Sequence, residues 1–190
     1  MGRAAFLDAC VLHPWSTADL LLRLSERYVY RALWSADVLD ETRRSLIQSA
    51  GLTVEQAEHR IAQMKAAFPE ALVTGYEDIV PAMRNHEGDR HVLAAAIVGK
   101  ADVIVTDNVT HFPASICGEL DLEVQTADQF LMHSLALLPD VVADVFLAQV
   151  AGSRPPTTLA NALILAEGRL PLFVQGLRGD PVVISRLGPA

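Results

Sequence analysis

Cysteine is scarce in this chain. Two are present, Cys10 and Cys117, far apart and in no C-x-x-C pair. That excludes a disulfide framework and a thiolate zinc site, and it fits reduced, mostly buried thiols in a cytoplasmic protein. Positive charge is also short: 15 Lys and Arg stand against 23 Asp and Glu, a net charge of −8. Taken over the whole chain, this argues against a nucleic-acid binder. The argument weakens if several acids are metal ligands, because bound divalent ions change the local sign. Long apolar runs are missing as well. Residues 135–150 are broken by Pro139, Asp140 and Asp144, so no membrane span is expected. Residues 1–6 carry one basic residue and no sustained apolar core, so no signal peptide is expected. G-x-G-x-x-G, a P-loop lysine and any Ser-His-Asp or Cys-His arrangement are absent too.

What is present is apolar and regularly punctuated. Of the 190 residues 51% are hydrophobic, and the mean hydropathy is +0.27. That suffices for one good core, or a core with a small appendage. Residues 4–11 read as a buried strand broken only by Asp8. Ser16 or Thr17 caps a helix over 18–27, with Leu20, Leu21, Leu24 and Tyr28 on its apolar side. A strand over 28–34 follows. Ser35 or Asp37 caps a helix to about residue 50, stopped by Gly51. Thr53 opens another over 54–68, and 72–73 is a short strand. Asp89 starts a helix to Val98, with Gly99 as its stop. Residues 103–105 are the clearest strand and 122–125 another. Thr126 to Gln129 has capping-box spacing and opens a helix to about 138. Strands alternating with helices predict a parallel sheet with helices on its faces. After Pro139 only helices are expected, over 140–150, 158–167 and 170–177. The expected division is therefore an α/β domain over 1–138 and a helical extension over 139–190.

Acids mark the ends of the apolar runs. Asp8 interrupts a strand, where an unpaired carboxylate is costly, so a cation, a helix cap or a salt bridge must compensate it. Asp89 precedes an alanine-rich helix and suits an N-cap, a role compatible with facing a metal. Asp107 follows the clearest strand and so lies at the carboxyl edge of the sheet, with Thr106 and Asn108 beside it; an Asp-Asn turn is the plain alternative. Glu41 borders the inner face set by Val38, Leu39, Thr42 and Leu46, and Asp40 points more outward, which leaves the choice between Glu41 and its acidic neighbours open. Carboxylates converging at one sheet edge repel one another unless a cation sits between them. Hard oxygen donors without thiolates favour Mg²⁺ or Mn²⁺ over zinc. His91 and His111 lie near these acids and read as structural.

Four stretches in order carry a resemblance: Phe6-Leu7-Asp8-Ala9, Asp37-Val38-Leu39-Asp40-Glu41-Thr42, Asp89-Arg90-His91-Val92-Leu93 and Ile104-Val105-Thr106-Asp107-Asn108. They resemble the acidic motifs of PIN-domain ribonucleases, most closely the bacterial VapC-like toxins, over residues 4–133. The resemblance implies a PIN-like three-layer α/β/α fold with a central parallel sheet and a C-terminal helical appendage. It implies a metal-dependent endoribonuclease, with Mg²⁺ or Mn²⁺ held by Asp8, Glu41, Asp89 and either Asp107 or Asn108. Many members read Thr-Gly-Asp at the fourth motif; here Asn108 occupies the usual acid slot and Asp107 the glycine slot. One or two metals are therefore both open. Thr106, Arg43, Arg44 and Arg90 are candidate substrate contacts. An RNA substrate, an antitoxin partner and a homodimer are further implications. The alternative is a PIN-like module that binds RNA or protein with little or no catalysis. A haloacid-dehalogenase-type phosphatase needs a second Asp where Cys10 stands.

Overall fold

The computed structural model describes residues 3–187. Met1 and Gly2 of the leader reading, and residues 188–190 of the expected extension, lie outside them. Five strands are present among the described residues: β1 (Ala4–Leu7), β2 (Arg31–Ser35), β3 (Leu72–Val73), β4 (Val103–Val105) and β5 (Glu123–Gln125). They form one sheet in the order β3-β2-β1-β4-β5, and every neighbouring pair is parallel. At the centre Phe6 stands opposite Leu33 on one side and Ile104 on the other. Phe6, Leu7, Val103, Ile104 and Val105 are fully buried. A parallel sheet needs both faces covered, and continuous apolar strands such as these are the sequence form of that need. The fold is the PIN-like α/β/α class that the sequence predicts.

The helices are α1 (Ala9–Leu12), α2 (Trp15–Glu26), α3 (Ala36–Gln48), α4 (Val54–Ala67), α5 (Arg90–Val98), α6 (Ala114–Gly118), α7 (Ala127–Leu137), α8 (Pro139–Ala151), α9 (Leu159–Glu167), α10 (Pro171–Gly179) and α11 (Pro181–Leu187). Local chemistry sets their ends. Ser35 accepts from the Val38 N–H, and Thr53 with Gln56 forms a capping box. Gly51 takes a φ of 69° after α3, a region open to glycine at no steric cost.

The chain forms two compact units. The first takes the chain up to Trp15 together with Tyr30–Thr126, and holds the whole sheet. From β1 the winding runs outward to β2 and β3, then crosses to β4 on the far side of β1. By the general right-handedness of parallel crossovers, α3 and α4, which follow β2, and α5, which follows β3, are expected on opposite faces. The winding reverses between β1 and β4. That is a topological switch point, and the carboxyl edge there opens a crevice. The second unit takes Ser16–Val29 together with the chain from Ala127 onward, and is helical among its described residues. Within it α7 and α10 approach closely: a Cβ on Gly176 would lie 2.6 Å from the Met132 sulfur. The Asp128 carboxylate accepts from the Leu172 and Phe173 N–H groups at the start of α10, at 3.0 and 2.8 Å.

Three expectations need correction. The strand expected over 4–11 ends at Leu7, because Asp8 turns out of the ladder and its side chain caps α1. The helix expected from 18 begins at Trp15, and Tyr28 does not join its apolar side. Tyr28 is 91% exposed with a φ of 58°, in the turn that hands the chain to β2. Helices α6 and α11 lack the length for a periodic signal, and neither is expected from the sequence.

Gly99 closes α5 against the sheet. A Cβ there would meet Val73 Cγ2 at 2.8 Å and Leu33 Cδ1 at 3.1 Å, both in the core. Gly99→Ala should therefore cost about 1–3 kcal/mol. Gly118→Ala, with nothing within 4 Å of its Cβ, should stay within about 1 kcal/mol of the parent. Thermal melts of the two variants, followed by circular dichroism, check the contrast.

Candidate functional site

The site begins where β1 ends. The Asp8 N–H donates to the Val105 carbonyl at 3.1 Å, which ties the strand end to β4. The Asp8 side chain is almost wholly buried, at 3% exposure. One carboxylate oxygen accepts from the Ala9 N–H at 2.7 Å. The other accepts from the Thr106 hydroxyl at 2.6 Å and from the Cys10 thiol at 3.2 Å. Burial raises the Asp8 pKa above the ordinary carboxylate value. The bonds from Thr106, Cys10 and Ala9 pull it back, and the Asp89 charge pushes it up again. Burial and the neighbouring Asp8 push the Cys10 thiol up to about 12, so it is a protonated donor in this site.

Thr106 is the fully buried hinge of this corner. Its amide donates to the Gln125 carbonyl at 2.9 Å, continuing the sheet beyond β4. Its hydroxyl donates to Asp8 and accepts from the Asn108 N–H at 3.0 Å. That hydroxyl therefore faces Asp8, not solvent. The Asp107 N–H donates to the Cys10 sulfur at 3.2 Å.

A cleft of about 320 Å³ opens here, lined by Asp8, Glu41, Asp89, Asn108 and Arg44 among others. Asp107 is exposed and does not line it. Glu41 reaches the cleft because Val38 and Thr42, on the same side of α3, are buried beneath it. Asp40 faces away and pairs with Arg43 at 2.7 Å and Arg44 at 3.1 Å. The Arg43 hydrogen bond chiefly holds its carboxyl below the usual range. Behind Glu41 lies His91, with Nε2 at 3.6 Å from the carboxylate. Burial lowers the His91 pKa, but Glu41, Asp37 and Asp8 outweigh it and the net shift is upward. Arg90 is half-buried at the start of α5.

Asp89 holds the cap position of α5 yet makes no capping bond with its side chain. Its Oδ2 instead meets His111 Nδ1 at 2.8 Å and His86 Nδ1 at 3.1 Å. His111 thus does more than a structural role requires, and Phe112 beside it is buried. The sequence reading misses His86. Its spacing three residues before Asp89 is the only signal available, and that spacing gives no hint of His111.

The donors facing the cleft suit a hard divalent cation. The acids and Asn108 offer oxygens, the Cys10 thiol stays protonated, and His13 is the one imidazole in the lining. Both burial and the charge of Asp89 disfavour an ionised Asp8, and a cation between the two would reverse that balance.

A parallel α/β sheet with an acid-lined cleft at its switch point is an arrangement that can hold a cation and a ligand together. Over 125 residues the chain is 37% identical to a Mycobacterium tuberculosis (strain ATCC 25618 / H37Rv) protein named "Putative ribonuclease VapC50". The match covers 63% of this chain and 74% of that protein. The chain belongs to the VapC family. No family model matches it, and no solved structure matches it.

Thr106→Val removes the donor to Asp8 and the acceptor for Asn108. It should lower stability by about 1.5–3 kcal/mol. Thr106→Ser keeps the hydroxyl and should lose about 0.5–1.5 kcal/mol, the scale of one buried methyl. Urea denaturation midpoints separate the two.

Proposed function

We propose that this chain is a Mg²⁺- or Mn²⁺-dependent endoribonuclease, the toxin of a toxin–antitoxin pair. The observation that carries the reading is one cleft lined by Asp8, Glu41, Asp89 and Asn108, residues drawn from four separate stretches of chain. The relative's printed name, a ribonuclease of the VapC group, supports the same reaction.

Asp8 and Asp89 hold the ion, with Glu41 as a third ligand or as the group that orients the attacking water. Asn108 takes the fourth corner as a neutral donor, because it lines the cleft and Asp107 does not. When bound, the ion lowers the pKa of a water and offsets charge on the phosphate. Glu41, lining the cleft, would orient water at the phosphate and could take its proton. Arg44, at the cleft, contacts the phosphate, with Arg43 and Arg90 as further contacts along the RNA. Thr106 holds Asp8 and Asn108 in register. A protein antitoxin that covers the cleft, a homodimeric toxin and a cytoplasmic location complete the proposal. Among the described residues no helix is long and apolar enough to cross a membrane.

One observation favours a second reading, a PIN-like module that binds RNA or protein without cutting it. By the resemblance to PIN-domain ribonucleases Asn108 occupies the slot usually filled by an acid, and a neutral donor attracts a second ion less strongly. Mn²⁺ loading without turnover would select that reading.

Purified chain should cleave RNA with Mg²⁺ or Mn²⁺ and stop in EDTA. Asp8→Asn and Asp89→Asn should each lower the rate by about a hundredfold or more, at or beyond what loss of a ligand-supporting group costs a metal site. Cleavage that persists in EDTA, or in folded forms of both variants, overturns the metal mechanism. Asn108→Asp should tighten Mn²⁺ binding, measured by the electron paramagnetic resonance of free Mn²⁺.

A further inference from the structure

The geometry points to a second cation site beside the cleft, formed by His86, Asp89 and His111 and suited to Zn²⁺. Its three donor atoms lie within 4.8 Å of one another. His86 Nδ1 and His111 Nδ1 stand 3.1 and 2.8 Å from the same Asp89 oxygen. Ligand atoms on a tetrahedral zinc, with bonds of about 2.0–2.1 Å, are about 3.3 Å apart. The two Asp89–histidine separations would open by a few tenths of an ångström and one imidazole would turn to bring all three donors onto one ion.

His86 Nδ1 meets the Asp89 oxygen at 3.1 Å and the Gly88 N–H at 3.3 Å. One ring nitrogen donates to the first or accepts from the second, not both. A cation between Nδ1 and the carboxylate takes the place of the proton that the first bond needs. The rings of His86 and His111 are stacked, 4.1 Å apart and 14° from parallel, so one ring must turn out of the stack before both Nδ1 lone pairs, which lie in their ring planes, meet one ion.

The frame is already built. The His86 N–H donates to the His111 carbonyl at 3.1 Å, and Asn85 Nδ2 donates to the Asp89 carbonyl at 3.0 Å. These bonds fix both histidines and the acid without using the atoms that would hold the ion. The histidine side chains are open, at 56% and 36% exposure, so an ion can enter and water can complete its shell. Two imidazoles and one carboxylate favour zinc over magnesium, whereas the cleft's oxygens favour the reverse.

Asp89 belongs to both sites, and here the inference rests on the reading of the cleft as a metal centre. Zinc on one Asp89 oxygen reduces the charge this residue presents to the cleft. Zn²⁺ should therefore weaken Mn²⁺ binding in the cleft, and Mn²⁺ should weaken Zn²⁺ by the same factor.

The test uses Zn²⁺ itself on the full chain in excess Mg²⁺. Equilibrium dialysis should give one tightly bound zinc per chain. His86→Ala and His111→Ala should each weaken it beyond the roughly 10–100-fold that loss of an outer partner costs a metal site, while Asp8→Asn and Glu41→Gln retain it. Nitrogen-15 NMR of the unaltered chain should show the Nδ1 signals of His86 and His111 shifting as zinc is added, a readout independent of any variant's folding. No bound zinc, unshifted Nδ1 signals, or zinc lost in Asp8→Asn but kept in His111→Ala would overturn the site. Zinc bound at the histidines with unchanged Mn²⁺ affinity would overturn the coupling. A chain without ribonuclease activity would remove the nuclease reading and leave these zinc outcomes as they stand.

Discussion

Asp8 occupies a position where burial opposes its charge, at the end of the central strand and beside the strand across which the winding reverses. Donors from three places answer that cost: the next amide in the chain, a thiol two residues on, and the Thr106 hydroxyl from the end of β4. Each of these donors also does a second job. The Ala9 amide opens α1, and the Thr106 hydroxyl fixes the turn that carries Asn108. Fold and cleft therefore share one set of bonds. The switch point gives the cleft its place, and the Asp8 carboxylate fixes how its two walls meet.

Net charge conceals a sorting of acids. Asp40 is taken up by two arginines, and Asp37 accepts from the Tyr76 hydroxyl at 2.9 Å. These acids face away from the cleft and are compensated locally. Glu41, one residue from Asp40, turns inward with the buried side of α3. The same helix thus presents to solvent an acid paired with two arginines and to the cleft an acid that faces His91 at 3.6 Å. A whole-chain charge of −8 carries no information about this sorting, which depends on helical phase.

Much of the fold is legible in the sequence because burial and chain punctuation are local. Apolar runs at β1, β2 and β4, the Thr53-Gln56 cap and Gly51 all act within a few residues. What fails is equally physical. The apolar run 4–11 continues past Leu7, but the Asp8 side chain takes the next amide and converts the run to helix. Tyr28 fits a helical apolar face by spacing, yet its left-handed backbone places it in solvent. At the cleft the ordered acids are visible in the sequence, but whether Asp107 or Asn108 lines it depends on the Thr106 turn. The engagement of Asp89 by His86 and His111 depends on a loop from after β4 returning to the start of α5. No pattern along the chain encodes that meeting.

The second unit is made from two stretches more than a hundred positions apart, Ser16–Val29 and the chain from Ala127. Contacts such as Gln149 Nε2 to the Ser16 carbonyl, at 2.7 Å, join them. A ribosome releases these stretches at very different times. Every strand of the sheet has been made once Gln125 is added, while α2 still lacks the helices of its own unit. The nascent chain must therefore carry α2, with its row of leucines, through the synthesis of the whole sheet, a long-range closure of the kind that slows folding and invites chaperone contact.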